Sequence, residues 1–108
     1  MSQLLFRTTV LDLVPFGNPG TAPDFFALRL SPPPWQSWSP GQFVMLRPEG
    51  LPGSDTGLLW GRPFSICRAS NRDLAIFFQV RGRGTRVLSR LKPGDFVDVW
   101  GPLGNALE

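Results

Sequence analysis

The chain has 108 residues, of which 42% are hydrophobic and 18% charged, a composition typical of one small globular domain and not of a disordered segment. It has no histidine and one cysteine, Cys67, which excludes a histidine-based catalytic triad, an internal disulfide and a cysteine-ligated cluster within this chain. The net charge is only +3, although ten of the eleven basic residues are arginine. Any catalysis would therefore depend on a bound cofactor.

The amino-terminal segment predicts a strand and not a targeting signal. Arg7 and Asp12 interrupt its apolar residues, and no small-residue cleavage site follows them. No apolar run in the sequence reaches the length of a membrane span. We therefore expect a cytoplasmic protein that does not enter a membrane.

Short segments rich in Val, Phe, Leu and Thr alternate with turn residues along the chain, which favours an all-β fold. Six such segments can close a small antiparallel barrel, so we predict a six-stranded Greek-key barrel. The turn SNRD, Ser70–Asp73, predicts a tight hairpin between the fourth and fifth strands. The predicted strands are Leu4–Val14, Phe25–Leu30, Gln42–Arg47, Phe64–Arg68, Leu74–Val80 and Phe96–Trp100.

One segment, Gly84–Gly94 (GTRVLSRLKPG), predicts a short helix after the fifth strand. Thr85 can cap it, its apolar residues fall on one side at helical spacing, and a Pro-Gly pair ends it. At about two turns it is long enough to cover one end of a barrel and too short to be stable alone.

The stretch GRGT, Gly82–Thr85, follows a predicted strand and leads into that helix. Backbone N–H groups would converge there with the positive end of the helix dipole, which favours phosphate binding. It is not the Rossmann fingerprint, because Val87 occupies the third glycine position. The alternative is a turn whose glycines serve backbone geometry alone.

A second stretch, RPFS, places Arg62 and Ser65 at the head of the fourth strand, where neither helps packing. The hairpin would bring this stretch and GRGT together, although they lie about twenty residues apart. One ligand could then contact both, with its phosphates near Arg62 and a flat ring against Phe64. The alternative is that Phe64 belongs to the core and that Ser65 is an ordinary strand hydroxyl.

Four motifs occur in order, RPFSI, GRGT, PGDFVDVW and GPLGN. This set resembles the flavin-binding barrel of the ferredoxin reductase family, and most closely the electron-transfer subunit of bacterial dihydroorotate dehydrogenase. The resemblance runs from about Leu4 to Asn105. It implies that FAD is bound by Arg62, Pro63, Phe64, Ser65, Phe77, Phe78, Gln79, Gly84 and Thr85. Gln79 departs from the pattern, since the family often has a basic residue there; Arg81 or Arg83 could compensate.

The resemblance also implies a longer protein. Residues 1–106 would be its FAD domain, and Leu107-Glu108 is interpreted as the remnant of a tag. A nicotinamide-binding domain and a 2Fe-2S cluster are expected in the full-length protein, together with a catalytic dehydrogenase partner subunit. Electrons would pass from the nicotinamide through FAD and the cluster to that partner. The isolated domain is not expected to turn over alone.

Two alternatives remain. The same flavin domain could serve a hydrogenase, a sulfite reductase or another reductase. A barrel that binds nucleic acid is suggested by the pI near 10.5, the arginines, Trp35 and Trp38. However, the basic residues are scattered and that function leaves the glycine turn without a role, so we expect no nucleic-acid binding.

Overall fold

The computed structural model describes residues 4–17, 20, 24–35, 37–49 and 63–104. They form a closed barrel of six strands with one helix after the fifth strand, which confirms the predicted fold class. The elements are β1 (Leu4–Phe16), β2 (Phe25–Leu30), β3 (Phe43–Pro48), β4 (Phe64–Ala69), β5 (Leu74–Gln79), α1 (Gly82–Leu88) and β6 (Phe96–Leu103).

The strands follow one another around the barrel in the order β1-β2-β5-β4-β3-β6, and every neighbouring pair is antiparallel. Three consecutive strands, β3, β4 and β5, lie side by side, and β6 returns to pair with β3. This is the Greek-key connection. Closure pairs both edges of the sheet, so no described strand is left with an open edge.

The longest strand, β1, is two residues longer than predicted because it serves two neighbours in turn. Its first half, Leu4–Thr9, pairs with β6, and its second half, Val10–Phe16, pairs with β2. A register shift between Val10 and Asp12 marks where the strand changes partner. Such irregularities increase local bending, which a small closed barrel requires.

The core follows from alternation along the strands. In β2 and β3 every second residue is buried, so one face of each strand points into the barrel. Leu88 of α1 is also fully buried in this cluster, which attaches the helix to the barrel. The strand residues that are fully buried include Leu28, Leu30, Val44, Leu46, Leu74, Val97 and Val99.

The helix differs from its predicted bounds. It begins at Gly82, two residues earlier than expected, and ends at Leu88. Gly82 has a φ of 82°, a left-handed conformation that glycine adopts without steric cost, so the chain can turn sharply out of β5 and enter the helix at once. Thr85 therefore lies within α1, and the N-cap position belongs to Arg81.

The predicted hairpin between β4 and β5 is present and is stabilised by ion pairs. The Ser70 N–H donates to the Asp73 carbonyl at 2.9 Å, which closes the turn. The Asp73 carboxylate is only 2% exposed and accepts hydrogen bonds from Arg68 and Arg29. These bonds, that from Arg68 foremost, outweigh the effect of burial and hold the pKa of Asp73 at about 2.

Candidate functional site

A groove opens where the start of β4, the end of β5 and α1 meet. Its volume is about 310 Å³, within the lower range of ligand sites. Its lining residues are Pro63, Phe64, Ser65, Phe77, Phe78, Gln79, Arg81 and Thr85. The structure thus brings together most of the residues that the sequence singled out.

The hairpin explains this meeting. Because β4 and β5 are antiparallel neighbours joined by a tight turn, the first residue of β4 lies beside the last residues of β5. The rings of Phe64 and Phe78 are accordingly edge to face, with centroids 6.4 Å apart. The chain then leaves β5 directly into Arg81 and α1, which completes the groove.

Phe64 lines the groove and also belongs to the core. A flat ligand ring was expected to rest against it, and its side chain is 5% exposed and packs in the core cluster. Alternation along β4 is the reason, since Phe64 and Ile66 point inward and Ser65 points outward. Phe64 is therefore a core residue at the edge of the groove, its contact with a ligand stays a prediction, and Ser65 presents its side chain to solvent.

The aromatic ring that faces outward at the groove is Phe77. It lies between the buried Ile76 and Phe78 on β5 and is 46% exposed. Phe25 stacks on it at a centroid distance of 5.6 Å, and Phe16 leans against it at the same distance. Sequence reasoning missed Phe16 and Phe25, although period-two alternation of β5 already predicts an outward Phe77.

A row of hydrogen-bonded polar side chains borders the groove. The Arg81 Nε donates to the Gln79 Oε1 at 2.9 Å, and the Gln79 Nε2 donates to the Asp24 Oδ2 at 3.3 Å. Gln79 thus orients Arg81, an arginine that itself lines the groove. Arg81 was considered as a substitute but was not among the predicted site residues.

The residues of the glycine turn have structural roles. Thr85 is buried, and its Oγ1 accepts the Arg81 N–H at 2.5 Å and lies 3.5 Å from the Gly82 carbonyl oxygen. The hydroxyl therefore fixes the turn instead of capping the helix as predicted. Gly84 is buried within α1. The remaining predicted residue, Arg62, lies outside the described residues.

The polar groups at the groove limit the chemistry that its own side chains can offer. No three His, Cys, Asp or Glu side chains in the described part of the chain are grouped so as to hold a metal ion. The groove presents one guanidinium, one outward hydroxyl and one exposed aromatic ring. These groups can bind a flat, anionic ligand, but they do not form a general acid–base pair.

Among the same described residues, no helix is long and apolar enough to cross a bilayer.

Comparison with known proteins identifies relatives by sequence. The chain is 43% identical over 72 residues to the electron transfer subunit of dihydroorotate dehydrogenase B (NAD(+)) from Listeria monocytogenes, covering 65% of this chain and 26% of that protein. The corresponding subunit from Caldanaerobacter subterraneus is 39% identical over 69 residues, with 64% and 26% covered. The chain thus spans about a quarter of the length of these relatives. No family model matches it.

Solved structures agree on the fold. Ferredoxin-NADP+ reductase from Plasmodium falciparum matches with a TM-score of 0.72 at 14% identity, covering 96% of this chain and 41% of that protein. The ferredoxin reductase in carbazole 1,9a-dioxygenase matches with a TM-score of 0.67 at 21% identity, covering 94% and 30%. At these identities the likeness concerns the fold alone. The resemblance indicated by the ordered motifs is therefore confirmed: the chain is similar to ferredoxin reductases in fold and to electron-transfer subunits of dihydroorotate dehydrogenase B in sequence.

Proposed function

We propose that this barrel binds FAD and serves as the flavin domain of an electron-transfer subunit. The observation that carries the proposal is the groove, whose lining joins residues 63–65 of the RPFS motif to Thr85 of GRGT on one face of the barrel. The names of the sequence relatives support the same function, and the solved reductases support the fold it requires.

The groove fits such a ligand in its chemistry. FAD carries a diphosphate and a flat, largely apolar ring system, so its site needs a cation and an aromatic or apolar surface. Arg81 supplies the cation, and the stacked Phe77 and Phe25 supply an exposed aromatic surface. Among the described residues that line the groove, none is a carboxylate that would repel the diphosphate.

Each residue then has a distinct role. Arg81, with Arg62 from the adjoining segment, would neutralise the diphosphate. Phe77 would contact a flat ring, and Ser65 would offer its hydroxyl to a polar edge of the ligand. Thr85 would act indirectly, because its hydroxyl fixes the Arg81 backbone. Bound FAD would supply the chemistry, since a flavin accepts two electrons and can release them singly.

The activity of the whole protein is a further proposal. In the whole protein, electrons would pass from a nicotinamide through FAD and a 2Fe-2S cluster to a catalytic dihydroorotate dehydrogenase subunit. The relatives, named as electron transfer subunits of dihydroorotate dehydrogenase B (NAD(+)), favour this partner over a hydrogenase or sulfite reductase. A cytoplasmic location stays a prediction. So does the division into a domain at 1–106 and a tag remnant at 107–108, and residues 105–108 lie outside the described residues.

A flavin titration with matched variants tests the proposal. FAD is added to the purified domain and binding is followed by quenching of flavin fluorescence. Arg81→Gln should weaken binding by roughly 10- to 150-fold, because a charge-assisted contact contributes about 1.5–3 kcal/mol. Arg72→Gln, which removes the same charge in the β4–β5 turn, should leave binding unchanged. Equal affinities for all three proteins would remove Arg81 from the site, and absence of binding by the folded domain would contradict the proposal for this barrel alone.

A further inference from the structure

Two open clefts adjoin at the end of the barrel that carries the β4–β5 turn, opposite the groove. The tryptophan cleft, of about 290 Å³, is lined by Pro33, Trp35, Trp38, Ala69, Ser70 and Asn71. The arginine cleft, of about 340 Å³, is lined by Arg29, Arg68, Ser70, Arg72 and Asp73. Ser70 belongs to both, so the clefts form one continuous surface. The groove lies at the far ends of the same two strands, which are six residues long.

The arginine cleft is held in a fixed arrangement by Asp73. The Arg68 Nε and Nη2 atoms donate to its two oxygens at 2.9 and 2.6 Å, and the Arg29 Nε donates at 2.8 Å. Arg29 also pairs with Asp12 at 2.5 Å. Guanidinium groups fixed in this way lose little conformational entropy when they bind a further group.

Positive charge exceeds negative charge in this cleft. Three guanidinium groups face one lining carboxylate, Asp73, and the adjacent Asp12 adds a second. The Arg72 side chain makes no ion pair or hydrogen bond with the described residues, and it is exposed. The Ser70 Oγ accepts the N–H groups of Arg72 and Asp73, which leaves its hydroxyl proton available for donation. The cleft is therefore suited to an anion.

The tryptophan cleft supplies an apolar neighbour. The Trp38 indole donates to the Ala69 carbonyl at 3.1 Å, and Trp35 packs edge to face against Phe6 with centroids 5.6 Å apart. Both indoles are half-buried and fixed by these contacts. Binding of single-stranded nucleic acid usually relies on open aromatic faces on which bases stack. A half-buried wall of Trp and Pro is better suited to an aliphatic side chain.

We propose that this surface docks an acidic segment of a partner protein, with an apolar side chain in the tryptophan cleft and a neighbouring carboxylate in the arginine cleft. The charge complementarity of the arginine cleft and the apolar wall beside it select this occupant. The surface is separate from the groove, so the proposal does not depend on FAD binding.

Amide and indole chemical shifts test this proposal with two blocked peptides. The ¹⁵N-labelled domain is titrated at low salt with acetyl-Asp-Leu-Asp-amide and with acetyl-Asn-Leu-Asn-amide. The acidic peptide should shift the amide signals of Ser70–Asp73 and the indole signals of Trp35 and Trp38 in a saturable manner. The amide peptide should bind at least fivefold more weakly, because it lacks the carboxylates.

Variants and rival probes make the outcome decisive. Arg72→Gln should weaken the acidic peptide about threefold to fivefold, as expected for an exposed ion pair. Arg90→Gln removes an exposed arginine beyond α1 and should change nothing. Equal binding of both peptides would overturn the proposal. It would also be overturned if inorganic phosphate shifted the same signals at equal affinity, which indicates a simple anion site, or if oligothymidylate bound more tightly than the peptide.

Discussion

Asp73 shows how one residue can organise an end of the barrel. Its buried carboxylate joins Arg68 of β4 to Arg29 of β2, across the intervening β5. A buried carboxylate without partners would have a raised pKa and would destabilise the fold. Here hydrogen bonds to Arg68 and Arg29 hold its pKa at about 2, below the usual 3.8. The ionised form therefore stabilises the folded state.

The sign of the pH dependence follows from this lowered pKa. The stabilisation is fully present above the unfolded pKa of 3.8 and is lost as the pH falls through about 2. A shift of this size corresponds to about 2 kcal/mol. Asp73→Asn should therefore lower the free energy of unfolding by about 2 kcal/mol at pH 7, measured by urea denaturation.

The acid range provides the control for this prediction. Between pH 4 and pH 2 the native protein should lose about 2 kcal/mol more stability than the Asp73→Asn variant does. Parallel loss of stability in the two proteins would show that Asp73 is not the group that titrates.

Phe64 and Phe77 both line the groove, but Phe64 is buried and Phe77 is exposed, so we predict different effects when each is substituted. Phe64→Ala should destabilise the domain by about 3–5 kcal/mol, because it opens a cavity in the core. Phe77→Ala removes an exposed ring and should change stability little, while it weakens FAD binding about fivefold through the lost aromatic contact. Thermal unfolding and flavin titration of the two variants separate these effects. If Phe77→Ala binds FAD as the native protein does, the ring contact assigned to Phe77 is wrong.

At the scale of elements, α1 depends on its first residue. Gly82 has a φ of 82°, and a Cβ placed on it would meet no atom within 4 Å, so a substitution there is opposed by backbone conformation and not by crowding. Gly82→Ala should destabilise the domain by about 1 kcal/mol, since alanine avoids the left-handed region. Gly82→Asn should cost less, because asparagine tolerates this conformation. Equal thermal stability of Gly82→Ala and the native protein would contradict this view of the turn.

Alternation and turn residues made the strands largely predictable. Phe25–Leu30 was predicted with its exact bounds, because its alternating apolar residues and the prolines around it define it locally. The helix bounds were wrong, because Gly82 with its positive φ lets the helix begin two residues earlier, and the Thr85 hydroxyl accepts the Arg81 N–H from within the helix. Local propensity cannot indicate which backbone N–H a buried hydroxyl will satisfy.

At the scale of the whole molecule, the closed barrel brings together residues distant in sequence. Arg29 and Asp73 are separated by 44 positions, and Gln79 and Asp24 by 55. The sequence predicted the meeting of RPFS and GRGT because one hairpin connects them. It did not predict the Phe16–Phe25–Phe77 cluster or the arginine cleft, because these depend on the β1-β2-β5 order around the barrel.

The measurement that tests the central claim most directly is a map of FAD binding onto the domain. The ¹⁵N-labelled domain is titrated with FAD, and amide shifts are followed for every assigned residue. We predict saturable amide shifts at Phe64 and Ser65 and throughout Phe77–Thr85. The amide signals of Ser70–Asp73, at the opposite end of the barrel, should stay unchanged. Saturable shifts confined to the opposite end, or no shifts at millimolar FAD in a folded domain, would contradict the claim that this groove is a flavin site.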